Sequence, residues 1–153
     1  MSPNNINYMN SVQFFFEDVD SVQIHENVLF SQINFLIENE LKKLGELSVV
    51  FCSDEFLLNM NKEYLNHDYY TDIITFDYVE EKTISGDLFI SLDRVKENAE
   101  QFNTRFLKEV YRVVFHGTLH LCGYKDKTQE EQSIMRAKED YYLNEVDFRS
   151  LEL

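Results

Sequence analysis

Apolar positions along the chain follow two periods, and each period marks an element. Val12 to Phe16 is a β-prone run closed by Glu17-Asp18, which predicts a strand. Between Ile24 and Lys43, the residues Val28, Leu29, Ile33, Leu36, Ile37 and Leu41 recur at helical spacing, with Leu44 just beyond. Lys42 and Lys43 occupy the last turn, and Gly45 is the expected stop. Leu47 to Cys52 predicts a buried strand, followed by a short helix capped by Ser53 or Asp54 and running to about Tyr64. Ile73–Tyr78 and Leu88–Ser91 predict two further strands, flanking an acidic turn at Glu80-Glu81-Lys82 and Gly86. The remainder predicts helices. One spans about Leu92 to Phe102. A second starts from Thr104 as N-cap and reaches Leu121, ending at Gly123. The last begins near Thr128, where Thr-Gln-Glu-Glu fits a capping box with Glu131. About four strands in a mixed sheet with about five helices predict an α+β fold. No repeat, low-complexity tract or boundary divides residues 1–153, so a single domain is expected.

Composition narrows the picture. A chain of 153 residues that is 44% apolar and 14% aromatic can bury a real core. Its net charge of −14 favours solubility and opposes loose binding to a polyanion. The two cysteines, Cys52 and Cys122, do not suggest a disulfide scaffold, and reduced thiols are expected. No run of 18 apolar residues occurs, and Met1 to Asn10 lacks the basic and apolar regions of a signal peptide. A cytoplasmic protein with no membrane segment is the expectation.

The chemistry concentrates in His116-Gly117-Thr118-Leu119-His120-Leu121-Cys122-Gly123-Tyr124-Lys125-Asp126. Residues four apart share a helix face, so His116 and His120 can present two imidazoles to one ion. Gly123 stands where the helix should end and permits the left-handed turn that brings Asp126 back toward them. Two histidines and a carboxylate suit Zn²⁺ with a fourth position open. Phe106, Val110, Val113, Val114 and Leu121 form one apolar stripe, with both histidines on its flank. Gly117 falls near the middle of that stripe, and a close backbone approach by another element would explain it. Cys122 points to another side of the helix and is expected to be a packed thiol. His25 is read as a surface residue. His67, in a polar loop before Asp72, is a weaker candidate for the cleft.

The spacing is similar to the metzincin pattern His-Glu-x-x-His-x-x-Gly-x-x-His. His116, His120, Gly123 and the position of Asp126 are in register with it. The general-base glutamate of that pattern is replaced by Gly117, which has no proton acceptor. This argues against a zinc peptidase.

The sequence resembles the YbeY family of bacterial endoribonucleases. The family signature His-Gly-x-Leu-His-Leu-x-Gly-Tyr stands here as His116 to Tyr124. Asn61-Lys62-Glu63-Tyr64 and Thr71-Asp72-Ile73-Ile74-Thr75-Phe76 are similar to two upstream blocks. Gly86-Asp87 and Met135 match further family positions, so the resemblance runs from about Leu57 to Glu139. It implies a metal-dependent endoribonuclease with a zincin-like metal helix, acting on single-stranded RNA in maturation of 16S ribosomal RNA. It also implies the small ribosomal subunit, and ribosome-associated proteins, as partners. Two positions depart from the pattern. The family's third ligand is usually histidine, and Asp126 holds that place here. The arginine that usually follows the tyrosine of the Asn61–Tyr64 block, and that is implied to handle RNA, is Leu65.

Charge is uneven along the chain. Residues 1–60 hold 9 acidic and 2 basic side chains, whereas residues 94–127 hold 7 basic and 4 acidic ones. The basic stretch surrounds the metal motif, so either the cleft is locally basic or Arg105 to Arg112 is a solvated helix face. Two other functions compete with the endoribonuclease. One is a zincin-like metalloprotease, which Gly117 opposes. The other is a non-catalytic ribosome-assembly factor with a structural metal, which Leu65 favours.

Overall fold

Strand β4 (Thr83–Ser91) is built on alternation: Ile84, Leu88 and Ile90 are buried on one face, and Phe89 points to the other. The computed structural model describes residues 11–66 and 70–151. Around β4 it places β1 (Ser11–Phe16), β2 (Lys43–Cys52) and β3 (Ile73–Asp77) in the order β1-β2-β4-β3. Strands β1, β2 and β4 are parallel, with Val12 opposite Leu47 and Val49 opposite Leu88. Strand β3 runs antiparallel to β4, with Ile73 opposite Ile90, and forms one edge. The helices among the described residues are α1 (Glu26–Asn39), α2 (Asp54–Leu65), α3 (Leu92–Gln101), α4 (Phe106–Leu121), α5 (Gln129–Leu143) and α6 (Phe148–Leu151). The fold is α+β with a mixed sheet, as the periodicities predict.

Both faces of the sheet are covered. On one, Val49, Phe51, Leu88 and Ile90 meet Leu29, Ile33, Leu36 and Ile37 of α1, together with Val110, Val114 and Leu121 of α4. On the other, Cys52, Ile74 and Phe89 pack with Leu57 and Phe56 of α2. Helix α4 is the most buried of the helices, because it lies against the sheet and also carries α5 on its far side. Gly117 marks where it crosses the sheet. A Cβ there would sit 2.7 Å from Ile73 Cδ1 and 2.9 Å from Leu88 Cδ2, so the expected close approach is present. That contact sets His116 and His120 beside edge strand β3.

Several boundaries differ from the sequence expectation. Helix α1 stops at Asn39, short of Lys43, and Gly45 does not end it. A Schellman-type turn does so instead: Lys42 N–H donates to Ile37 O (3.0 Å) and Leu41 N–H to Glu38 O (2.9 Å), with Leu41 at φ +62°. Gly45 lies inside β2, at the irregular register between Leu44 and Leu47. A Cβ on it would sit 2.3 Å from Ser85 Oγ. Gly86 likewise lies within β4 and not in the turn before it, since β4 starts at Thr83. The N-cap of α4 is Arg105, one residue after Thr104. Ser53 caps α2, and Thr128 with Glu131 forms the predicted capping box of α5. Helix α6 follows the last predicted helix as an addition.

Overpacking the α4–sheet crossing tests this arrangement. Gly117→Val should cost about 1–3 kcal/mol of stability, measured by urea unfolding in the presence of chelator. An unchanged unfolding midpoint would show that the crossing has slack.

Candidate metal centre

The C-terminal turn of α4 is a Schellman motif. Tyr124 N–H donates to Leu119 O and Gly123 N–H to His120 O, both at 3.0 Å, with Gly123 at φ +110°. Only a residue without Cβ adopts that conformation at low cost. The turn reverses the chain so that Asp126 reaches the helix face it has just left. His116 Nε2 and His120 Nε2 are 3.0 Å apart. Asp126 Oδ2 lies 3.1 Å from the first and 3.2 Å from the second. The three residues predicted from spacing are therefore together, their ligand atoms within 4.8 Å of one another.

The protonation of both rings follows from their other nitrogens. His120 Nδ1 lies 2.8 Å from the carbonyl of Tyr124, which can only accept, so Nδ1 carries the proton. His116 Nδ1 lies 2.6 Å from Glu139 Oε2, a carboxylate acceptor. In the neutral rings both Nε2 atoms are then lone pairs, and they face each other and a carboxylate. Three acceptors converge with no donor among them, an arrangement that calls for a cation. The donor set fits a divalent metal of the zinc type, and the outer hydrogen bonds are those that hold imidazole ligands in orientation. The surrounding field agrees. Burial alone would lower the pKa of His116, but Glu139, then Asp126 and Asp72, outweigh it and raise the value. A field that favours a proton on the ring also favours a metal beside it.

Glu139 was not singled out from the sequence, although a signal exists. Met135, Glu139, Tyr142 and Leu143 are the buried stripe of α5, and a carboxylate on such a stripe demands a partner. Its other oxygen, Oε1, accepts from Arg112 Nη1 at 2.9 Å, while Arg112 Nη2 donates to Asp140 at 2.8 Å. A second support had no local signal. Glu40, just beyond α1, accepts from Tyr124 Oη at 2.5 Å, from Lys138 Nζ at 3.1 Å and from Tyr142 Oη. It thereby clamps the residue whose carbonyl orients His120.

Other expectations resolve plainly. Burial pushes the Cys122 thiol up to about 12, and it lies outside the ligand cluster, so it is a packed thiol. Cys52 is also free and buried. His25 is half-buried in the left-handed conformation at the start of α1. His67 lies outside the described residues. Arg112 is no part of a solvated helix face: its side chain is 12% exposed and is tied to α5. Arg94 is paired with Asp54 at 3.2 Å. Two of the seven basic residues of that stretch are thus paired within the fold.

The cluster opens on a cavity of about 660 Å³ between β3 and the end of α4, lined among others by Leu65, Thr71, Asp72, Thr75 and Lys125. Among the described residues, Lys125 is the one cationic side chain in that lining. His116, Asp126 and Asp72 also face a second cavity, of about 330 Å³, on the α5 side. Burial raises the carboxyl pKa of Asp72, with His116 partly opposing it.

Comparison with known proteins follows from this geometry. A model of the Endoribonuclease YbeY family matches residues 14–147. A Parabacteroides distasonis protein named Endoribonuclease YbeY is 48% identical over 133 residues, covering 87% of this chain and 94% of the relative. A Bacteroides fragilis protein of the same name is 58% identical over 102 residues, covering 67% of this chain and 73% of the relative. Among solved structures, a Thermotoga maritima protein determined in solution superposes with a TM-score of 0.69 at 28% identity. That match covers 92% of this chain and 93% of the other.

The Glu40 clamp yields a pH prediction. Burial would raise the pKa of Glu40, but hydrogen bonds from Tyr124, Tyr142 and Lys138 prevail and lower it. A depressed carboxylate contributes stability above its unfolded pKa and loses it as pH falls through the folded one. Wild type should therefore be more stable than Glu40→Gln at pH 7, and the gap should narrow as pH drops below about 4. Denaturant unfolding from pH 7 to pH 3 reads this directly; a gap independent of pH would mean that the charge of Glu40 does not contribute.

Proposed function

The chain belongs to the Endoribonuclease YbeY family, and from that premise we propose that it is a metal-dependent endoribonuclease cutting single-stranded RNA during maturation of 16S ribosomal RNA. The observation that carries the metal dependence is the convergence of His116 Nε2, His120 Nε2 and Asp126 Oδ2. These three residues hold one Zn²⁺ per chain, within one metal-binding domain. The ion, when bound, supplies Lewis acidity toward a phosphate oxygen and lowers the pKa of water.

The residues of the chain prepare the site for that role. Glu139 and the Tyr124 carbonyl accept the Nδ1–H groups and aim both Nε2 atoms at one point. Asp126 contributes a full negative charge where the family's usual histidine is neutral, so the metal and its ligands carry less net positive charge. Lys125 lines the larger cavity beside Asp126 and replaces, as the phosphate partner, the arginine whose place Leu65 takes. A long RNA meets an acidic body with one cation in the cleft wall, so affinity rests on the small subunit or an associated protein presenting the strand. No helix among the described residues is long and apolar enough to cross a membrane, and a cytoplasmic setting accords with this substrate.

Gly117 opposes peptidase chemistry. Its place on the sheet-facing side of α4 also leaves no room for a glutamate, since even a Cβ would be within 3 Å of Ile73 and Leu88.

Two measurements test the proposal. The purified chain should contain stoichiometric metal. His116→Ala combined with His120→Ala should abolish it, Asp126→His should retain it, and Asp126→Ala should weaken binding by about tenfold or more. Asp126→Ala binding as tightly as wild type would exclude Asp126 as a ligand. The metal-loaded chain should cleave single-stranded ribosomal RNA and not casein, and chelation should stop the RNA cleavage. Chelator-sensitive casein cleavage would reverse the assignment.

A further inference from the structure

The ligand cluster is a partition between two cavities, because His116 and Asp126 lie on the walls of both. A strand with its phosphate at the cluster therefore runs on into each. On the larger side the wall supplies Lys125. On the α5 side the smaller cavity, of about 330 Å³, supplies Arg136 and Phe102. That volume is at the small end of ligand pockets and suits one nucleotide.

Arg136 is the cation of this lining that has charge to offer. Arg112, the other, is 12% exposed, and its Nη atoms donate to Glu139 and Asp140. The side chain of Arg136 is 59% exposed. Its ion pair with Glu139 Oε1 is 3.8 Å long, to an oxygen that Arg112 already holds at 2.9 Å. So long and exposed a pair contributes little, and the guanidinium can turn to a phosphate, which it matches bidentately. The carboxylates of the lining belong to its inner wall. Glu109 and Glu139 are buried beside Arg112, Asp126 is in the ligand cluster, and Asp72 acts on His116. Arg136, by its exposure, stands at the rim.

Phe102, just after α3, is 60% exposed. One exposed ring is ordinary on a protein surface. This one lies on a cavity wall that also holds an exposed arginine and two of the cluster residues. An aromatic ring beside a cation is the pairing on which single strands stack a base and rest a phosphate.

We propose that the smaller cavity is a nucleotide subsite for single-stranded RNA: the nucleotide flanking the scissile phosphate stacks its base on Phe102, and its far phosphate meets Arg136. The inference rests on the endoribonuclease reading of the cluster and deepens it, since the strand then crosses the cluster from Lys125 to Arg136. The subsite tolerates any base, because each offers a π-face, and it requires the base to be unpaired and splayed out.

Binding of a labelled single-stranded oligoribonucleotide to the purified full-length chain, measured against salt concentration, reads the two contacts separately. Chelator keeps the strand intact, and neither residue belongs to the ligand cluster. Loss of one phosphate contact makes the fall of log K with log salt shallower by about 0.7 for a single strand, and Arg136→Gln should show that change. Lys96→Gln, the same change of charge at an exposed position of α3 outside the lining, should not. Phe102→Ala should weaken binding about fivefold to a hundredfold at every salt concentration and leave the slope alone, and Phe102→Tyr should bind like wild type. Duplex RNA should bind Phe102→Ala and wild type alike. Urea midpoints confirm that the variants fold. An unchanged slope in Arg136→Gln, or an unchanged single-strand affinity in Phe102→Ala, would overturn the subsite. RNA cleavage by the metal-loaded wild type, assayed in parallel, separates the two readings. Cleavage alongside variants that bind like wild type sinks the subsite alone. The expected losses of binding without any cleavage sink the endoribonuclease reading and leave a single-strand-binding surface standing.

Discussion

His116 and His120 each donate Nδ1–H to an acceptor that cannot move freely, and the candidate metal site depends on that pair of hydrogen bonds. The acceptor for His120 is the Tyr124 carbonyl, set by the Schellman turn at Gly123. The acceptor for His116 is Glu139, which α5 delivers across the helix–helix contact. Remove either acceptor and the ring can turn over, and the convergence with Asp126 is lost. The requirement propagates outward. Glu139 is held against the His116 ring because Arg112 donates to its other oxygen, and Tyr124 stays in place because Glu40 accepts its hydroxyl. A site of three residues is thus supported by contacts from α1, α4 and α5.

The same network draws two arginines of the basic stretch into the fold. Arg112 and Arg94 are consumed by carboxylates of neighbouring elements. What faces the larger cavity is a mildly polar wall with Lys125 beside Asp126. Both cavities hold more carboxylates than cations, with Lys125 on the wall of the larger and Arg112 and Arg136 on the wall of the smaller.

Sheet geometry decides where this happens. Strand β3 reverses direction against β4 and ends the sheet, so the groove beside it is open, while α4 is pressed against the same strand through Gly117. The histidines therefore look out of the core at the rim of the sheet, half-exposed, with a buried helix behind them to keep them rigid.

Much of the site was legible in the sequence because it is local. His116, His120, Gly123 and Asp126 lie within eleven residues, and helical spacing plus one glycine turn bring them together without help from the rest of the chain. The same locality made the strands, the Ser53 cap and the Thr128 capping box readable, since period and cap chemistry act over a few residues. What escaped depends on packing between distant segments. The end of α1 at Leu41 is a left-handed leucine in place of the expected Gly45, and Gly45 and Gly86 lie in strands, each with a neighbour close to its Cα. Glu139, Glu40, Arg112 and Glu109 look like ordinary surface charges in a sequence with 28 acidic and 14 basic residues. Only the docking of α1, α4 and α5 buries them, and burial is what converts a solvated charge into a partner that must be satisfied.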